Sequence, residues 1–124
     1  MSEERWTIEI EPEVRDWLDL LSDGDYSRVE RVVDRLLPDP LALSMPLSKP
    51  LRDKVRELRF HLGDDARRIT YWLAPGQRVV LLTVFRKTRN SEQTEVSRAT
   101  DAQKMCEADH DAATHTYDRS EAES

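Results

Sequence analysis

Val55-Arg56-Glu57-Leu58-Arg59-Phe60, then Arg67-Arg68-Ile69-Thr70-Tyr71-Trp72-Leu73, then Arg78-Val79-Val80-Leu81-Leu82-Thr83-Val84-Phe85: these three runs decide the fold. Each is rich in β-branched and aromatic residues, and the first two alternate apolar with polar, as half-buried strands do. Gly63-Asp64-Asp65 separates the first two and Pro75-Gly76 the last two, residues that tight turns favour. Strands joined so briefly form an antiparallel meander. The third run is apolar at both parities, so it is expected at the centre of a sheet, covered on both faces.

Working outward, Trp6-Thr7-Ile8-Glu9-Ile10 alternates and reads as a short strand. Pro12 suits the first turn of a helix, and Val14, Trp17, Leu18 and Leu21 follow at helical spacing. Asp25 is the expected cap of a second helix, with Tyr26, Val29, Val33, Leu36 and Leu37 on its apolar face, stopped by Pro38 and Pro40. The two form a helix hairpin. Residues 38–53 hold three further prolines, Pro40, Pro46 and Pro50, with apolar residues between them, and read as an ordered loop. Asn90 and Gln93 suit the start of a last helix through Val96, Ala99, Ala102 and Cys106. The predicted order is β-α-α-β-β-β-α, an α+β domain. Residues 1–106 are read as that domain and 107–124, small, polar and acidic, as a disordered tail.

Composition narrows the function. Of 124 residues, 38% are hydrophobic and 35% charged, a balance that fits one domain with a charged surface. Cys106 is the single cysteine, so no internal disulfide forms and a reducing, cytoplasmic setting is expected. The first residues lack the apolar run of a signal peptide, and no segment reaches the roughly 20 apolar residues of a membrane span. Net charge is −6, unevenly spread: residues 1–48 carry 5 basic and 12 acidic side chains, residues 49–104 carry 13 and 7, residues 105–124 carry 1 and 6. A basic middle between acidic flanks points to a polyanion site. Basic strands pairing with acidic helices are the alternative.

Strand parity places the candidates. Glu57, Arg59 and, in line, His61 share one face of the first meander strand. Arg68, Thr70 and Trp72 share one face of the second. Val80, Leu82 and Val84 are expected on one face of the third, with Thr83, Phe85 and Lys87 on the other. Arg59, Arg68 and Lys87 then converge on one groove beside Trp72 or Phe85. Such a groove suits RNA: arginine forks fit phosphate oxygens, and an aromatic ring stacks a base. The same cations stabilise the charge of a phosphorane-like transition state, and ribose supplies its own nucleophile, the 2′-OH. Arg56, Arg86 and Arg89 are further RNA-binding candidates, and Glu57 and His61 are candidates for proton transfer. Each has a plainer reading: Arg59 and Glu57 as an ion pair, Arg68 at a strand start, Lys87, Arg89 and Arg86 as solvated charges, Trp72 as packing, His61 as surface. His110 and His115 lie in the tail and Asp23-Gly24-Asp25 is a turn, so neither metal nor cofactor is expected.

The pieces Val55 to Phe60, Arg68 to Trp72, Leu81 to Arg89, and Glu95-Val96 with Arg98-Ala99 resemble, in order, the phage-derived, HigB-like branch of the RelE/ParE toxin superfamily. There an E-L-R strand, an R-I-x-Y strand and an L-L-x-x-F-x-K strand run into a helix. The resemblance spans about residues 6–105. It implies a toxin of a type II toxin–antitoxin system, a ribosome-dependent mRNA endonuclease (mRNA interferase) that inhibits translation without metal. It implies Arg59 and Arg68 as phosphate-binding, charge-stabilising residues, and Lys87 as an RNA-orienting or proton-assisting one. It implies mRNA and the ribosome as partners, and a HigA-like helix-turn-helix antitoxin. Three features depart from the family: the acidic net charge, Thr88 where a second lysine is usual, and the acidic tail. Members of ParE type poison DNA gyrase on the same fold, and a degenerate regulatory member is a third reading.

Overall fold

The structure is a computed structural model that describes residues 6–90 and 92–123, with side chains as far as Asp109. Its elements are β1 (Thr7–Ile10), α1 (Pro12–Asp19), α2 (Asp23–Asp34), a 3-10 turn (Pro40–Ala42), β2 (Ser48–Arg52), β3 (Val55–Leu62), β4 (Asp65–Ala74), β5 (Arg78–Arg86) and α3 (Glu92–Glu123). The strands form one sheet in the order β1-β5-β4-β3-β2. β3, β4 and β5 are the antiparallel meander, and β1 runs parallel to β5. The architecture is α+β, as expected, and β5 lies inside the sheet between β1 and β4.

Three local expectations are corrected. Residues 48–52 are not loop but β2, antiparallel to β3, with Ser48 opposite Leu58 and Pro50 opposite Arg56. Proline lacks the N–H of an inner strand, but an edge strand tolerates it, and β2 is an edge. The cap of α2 is Ser22, whose hydroxyl accepts from the Asp25 N–H at 3.2 Å. β5 does not keep one parity. Thr70 pairs with Thr83 but Tyr71 pairs with Leu81, so Leu82 is an extra residue, a bulge. The bulge puts Val84 on the same side as Val79 and Leu81, away from Val80 and Leu82.

Two apolar layers result. On one face Val14 of α1, Val29 of α2 and Leu36 just after α2 cover the sheet, packed with Leu58, Phe60, Leu62, Ile69, Tyr71, Val79 and Leu81. On the other, Ala99 of α3 packs on Val55, Trp72, Ala74, Val80 and Leu82, with Ala102 and Cys106 at the margin. β1 stops at Ile10 opposite Leu81, which leaves the outer edge of β5 bare beyond it. Glu13 closes that edge: its carboxylate accepts from the Val84 N–H at 3.1 Å and from the Arg98 guanidinium of α3. One acidic side chain thus ties α1, β5 and α3 together. Arg98 also pairs with Glu95 at 2.8 Å. Hydrogen bonds to these carboxylates raise the pKa of its guanidinium, against burial.

The expected boundary after residue 106 falls within α3. Glu107 accepts from Lys54 at 2.6 Å and from the Gln103 side chain at 3.1 Å, which holds its carboxyl below the usual range. The side chains of residues 110–124, including His110 and His115, lie outside the described residues.

Candidate functional site

The register of the meander builds the site. Arg59 of β3 faces Arg68 of β4, and Arg68 faces Phe85 of β5, so the three form one row across the strands. Glu57 and Thr70 pair in the next row along, and Thr70 pairs in turn with Thr83. Beyond Phe85, the Lys87 N–H still donates to the Ala66 carbonyl at 2.8 Å, which carries the lysine past the strand end. Lys87 reaches Glu92, in the first turn of α3, at 3.6 Å. Arg59, Arg68 and Lys87 are thereby brought to one end of the face that α3 covers.

The bulge sits beside this row. With Leu82 inserted, the Thr83 N–H donates to Thr70 Oγ1 at 3.1 Å, and the two threonine hydroxyls are 2.6 Å apart. Bulges recur next to functional sites because they re-aim the following side chains. Here the inserted residue returns Phe85 to the Arg68 side.

Arg68 and Glu57 are both almost fully buried, at 6% and 3% exposure, and stand 3.6 Å apart. Burial pushes the Glu57 carboxyl above its ordinary value, helped by Glu92, while Arg68, Arg59 and Lys49 pull it back. Burial lowers the pKa of the Arg68 guanidinium, and Glu57 opposes that. The Arg68 fork is held by its Nη1, which donates to the Arg67 carbonyl at 3.0 Å, and by the ion pair with Glu57. Arg59 differs: it is half-buried, its Nη1 lies 3.4 Å from Met45 Sδ, and among the described residues it has no salt-bridge partner.

In front of the row is a groove of about 380 Å³, lined by Arg35, Pro46, Leu47, Arg59, Phe60, His61 and Arg68. It opens where β2 has ended: the last contact of that edge is the Arg59 N–H on the Leu47 carbonyl, at 2.8 Å. Arg35, Arg59, Arg68 and His61 are basic or can be protonated, and no lining residue is a carboxylate. His61 is exposed and belongs to the groove, within reach of whatever fills it.

Other candidates lie elsewhere. Arg56 is on the opposite face, where it donates to Ser48 Oγ (3.2 Å), Tyr71 Oη (3.3 Å) and the Leu43 carbonyl (3.3 Å). It pins the proline-rich segment to the sheet. Trp72 is 2% exposed beneath α3, with Lys54 5.8 Å from its ring. Arg86 pairs with Asp65 at 3.7 Å beside Arg67, one residue out of the row. Arg89 is exposed beyond β5. Arg35, Pro46 and Leu47 are not among the sequence candidates, because only the packing of α2 and the loop against β3 brings them to the groove. Among the described residues no group of three or more His, Cys, Asp or Glu is placed to hold a metal ion. Among them, too, no helix is long and apolar enough to cross a membrane.

Comparison with known proteins adds to this geometry. The family model described as "Phage derived protein Gp49-like (DUF891)" matches residues 16–108. No curated protein matches the chain. Among solved structures, the toxin–antitoxin complex RelBE2 from Mycobacterium tuberculosis is similar, with a TM-score of 0.52 and 20% identity, over 67% of this chain and 99% of that one. The free E. coli toxin RelE, solved as a mutant with two arginines replaced by alanine, is similar with a TM-score of 0.54 and 14% identity, over 82% of this chain and 97% of that one. At these identities the likeness is one of fold.

Proposed function

The chain belongs to the phage-derived, Gp49-like family, and from that premise we propose that it is the toxin of a type II toxin–antitoxin pair, an endoribonuclease that cuts mRNA in the cytoplasm. The observation that carries the reading is the row Arg59–Arg68–Phe85, opening on a groove without a carboxylate in its lining. The fold shared with RelE proteins supports it.

In the proposed reaction the ribose 2′-OH attacks the adjacent phosphorus and the 5′-oxygen of the next nucleotide leaves. The products are a 2′,3′-cyclic phosphate and a new 5′-OH. One proton leaves the 2′-oxygen and one reaches the 5′-oxygen. Negative charge gathers on the non-bridging oxygens at the transition state, where Arg68 and Arg59 supply fixed donors. Glu57 keeps Arg68 aimed forward. Lys87, released from Glu92, takes a neighbouring phosphate. His61 is the groove's proton carrier; Glu57, buried behind Arg68, is the weaker candidate. Phe85, 7% exposed, lies opposite Arg68 in the register and has little surface left for stacking. The ribosome presents the mRNA, and a helix-turn-helix antitoxin of HigA-like kind restrains the toxin.

The test is mRNA 5′-end mapping in a translating extract, with purified protein, with and without ribosomes. New 5′-OH ends that need active translation are the expected result. A folded protein that leaves every transcript intact would sink the nuclease reading and turn attention to gyrase inhibition or a regulatory role.

A further inference from the structure

We propose that the groove at the β3 edge is a subsite for one nucleotide unit, with Arg35 as a phosphate-binding residue contributed by α2. The inference rests on the ribonuclease reading and adds to it a place for the nucleotide next to the cut bond. Three observations carry it.

The first is charge. Arg35, Arg59 and Arg68 line the groove with His61, and no carboxylate does. Among the described residues neither Arg35 nor Arg59 is in a salt bridge, whereas Arg68 is held by Glu57. A groove with two guanidinium groups outside any salt bridge is complementary to a phosphate.

The second is shape. At about 380 Å³ the groove is in the range of small-molecule sites, roughly 300–1,000 Å³. Its remaining walls, Pro46, Leu47 and Phe60, are apolar. A lining that combines cations with apolar side chains suits the two parts of a nucleotide, phosphate and base. Met45, 55% exposed, stands at the rim with its sulfur on Arg59.

The third is position. Arg59 and Arg68 belong both to the catalytic row and to the groove. RNA crossing the strands from Lys87 toward β3 therefore runs past Phe85, Arg68 and Arg59 and meets the groove at the sheet edge. Arg35, at the C-cap of α2, is the groove cation outside the sheet. It takes the phosphate one step beyond the cut, and the base of that nucleotide rests on Pro46 and Leu47. Base preference at that step is then set by the 45–47 segment, not by the strands.

The experiment has two arms on the full chain. In the first, 3′- and 5′-nucleoside monophosphates and inorganic phosphate are titrated against wild type, Arg35→Ala and Arg35→Lys, followed by amide NMR shifts. The expected result is nucleotide binding that shifts residues 35, 47 and 59. It should weaken about tenfold or more in Arg35→Ala and recover in part in Arg35→Lys. Inorganic phosphate binding as tightly as the nucleotides overturns the base site, and equal binding by wild type and Arg35→Ala overturns the role of Arg35. In the second arm cleavage kinetics are read on the same proteins. A rise in KM larger than the fall in kcat for Arg35→Ala supports the subsite. Cleavage by wild type with KM unchanged in Arg35→Ala overturns the subsite and leaves the nuclease reading standing. If wild type cuts nothing, the nuclease reading fails, and the titration alone decides the subsite.

Discussion

The face of the sheet beneath α3 has two ends, built from the same strands with opposite chemistry. At one end Val55, Trp72, Ala74, Val80 and Leu82 lie under Ala99 and form a dry layer. At the other, a few residues along β3, β4 and β5, stand Glu57, Arg59, Arg68, Phe85 and Lys87. The boundary is the Thr70–Thr83 pair at the bulge. Trp72 and Arg68 are both nearly inaccessible, at 2% and 6% exposure. Burial is therefore not the difference. The apolar end is closed by a helix packed on it, while the charged end lies near the start of α3 and abuts an open groove. The first end is packed for stability, and the second is where the proposed chemistry would sit.

Four measurements test that division. The largest effect is expected from Trp72→Ala, which removes the largest buried side chain of the apolar end and should cost about 3–5 kcal/mol in urea denaturation. Its partner, Trp72→Phe, should leave RNA affinity unchanged; a clear loss of affinity would return Trp72 to the RNA-binding set and dissolve the division. Next, Arg59→Ala should lower turnover about a hundredfold, while stability moves by no more than about 0.5 kcal/mol. Equal cleavage rates for the variant and wild type would remove Arg59 from the site.

Thr70→Val tests the boundary itself. It takes away the acceptor of the Thr83 N–H and should cost about 1–3 kcal/mol, the penalty of a buried donor left unpaired. A cost near zero would mean that the bulge holds without this bond. The smallest effect is a change of slope with pH. Burial raises the folded-state pKa of Glu57 above its ordinary value of 4.5, against the pull of Arg68. A group raised in this way contributes stability that is full below the unfolded pKa and is lost as pH rises through the folded pKa. The stability of wild type relative to Glu57→Gln should therefore fall as pH climbs from about 4.5. A relative gain instead would show that attraction to Arg68 outweighs desolvation.

Both the legible and the illegible parts have physical causes. The meander is legible because alternation, turn residues and β-branched content all point to the same structure between residues 55 and 85. Arg59 and Arg68 are legible as one face because alternation runs unbroken along β3 and β4, whereas Phe85 joins them only because the bulge at Leu82 shifts it to their side. The same rule misplaces Val84, since one inserted residue reverses parity and Leu82 looks like any other strand residue. β2 is hidden because its proline argues against a strand unless the strand is known to be an edge.

Local sequence alone set which segments of the meander are strands, where the basic charge lies, and which side chains share a face of β3 and of β4. These are local properties, set by periods of two and 3.6 residues and by turn chemistry. Only the tertiary structure decided that β1 pairs with β5, that Arg56 turns inward while Arg59 turns to the groove, that Trp72 is roofed by α3, and that Arg35 comes to the open edge of β3. Those outcomes depend on contacts between residues far apart in the chain. Closing such contacts is governed by how the apolar faces of the elements pack together, which no local pattern encodes.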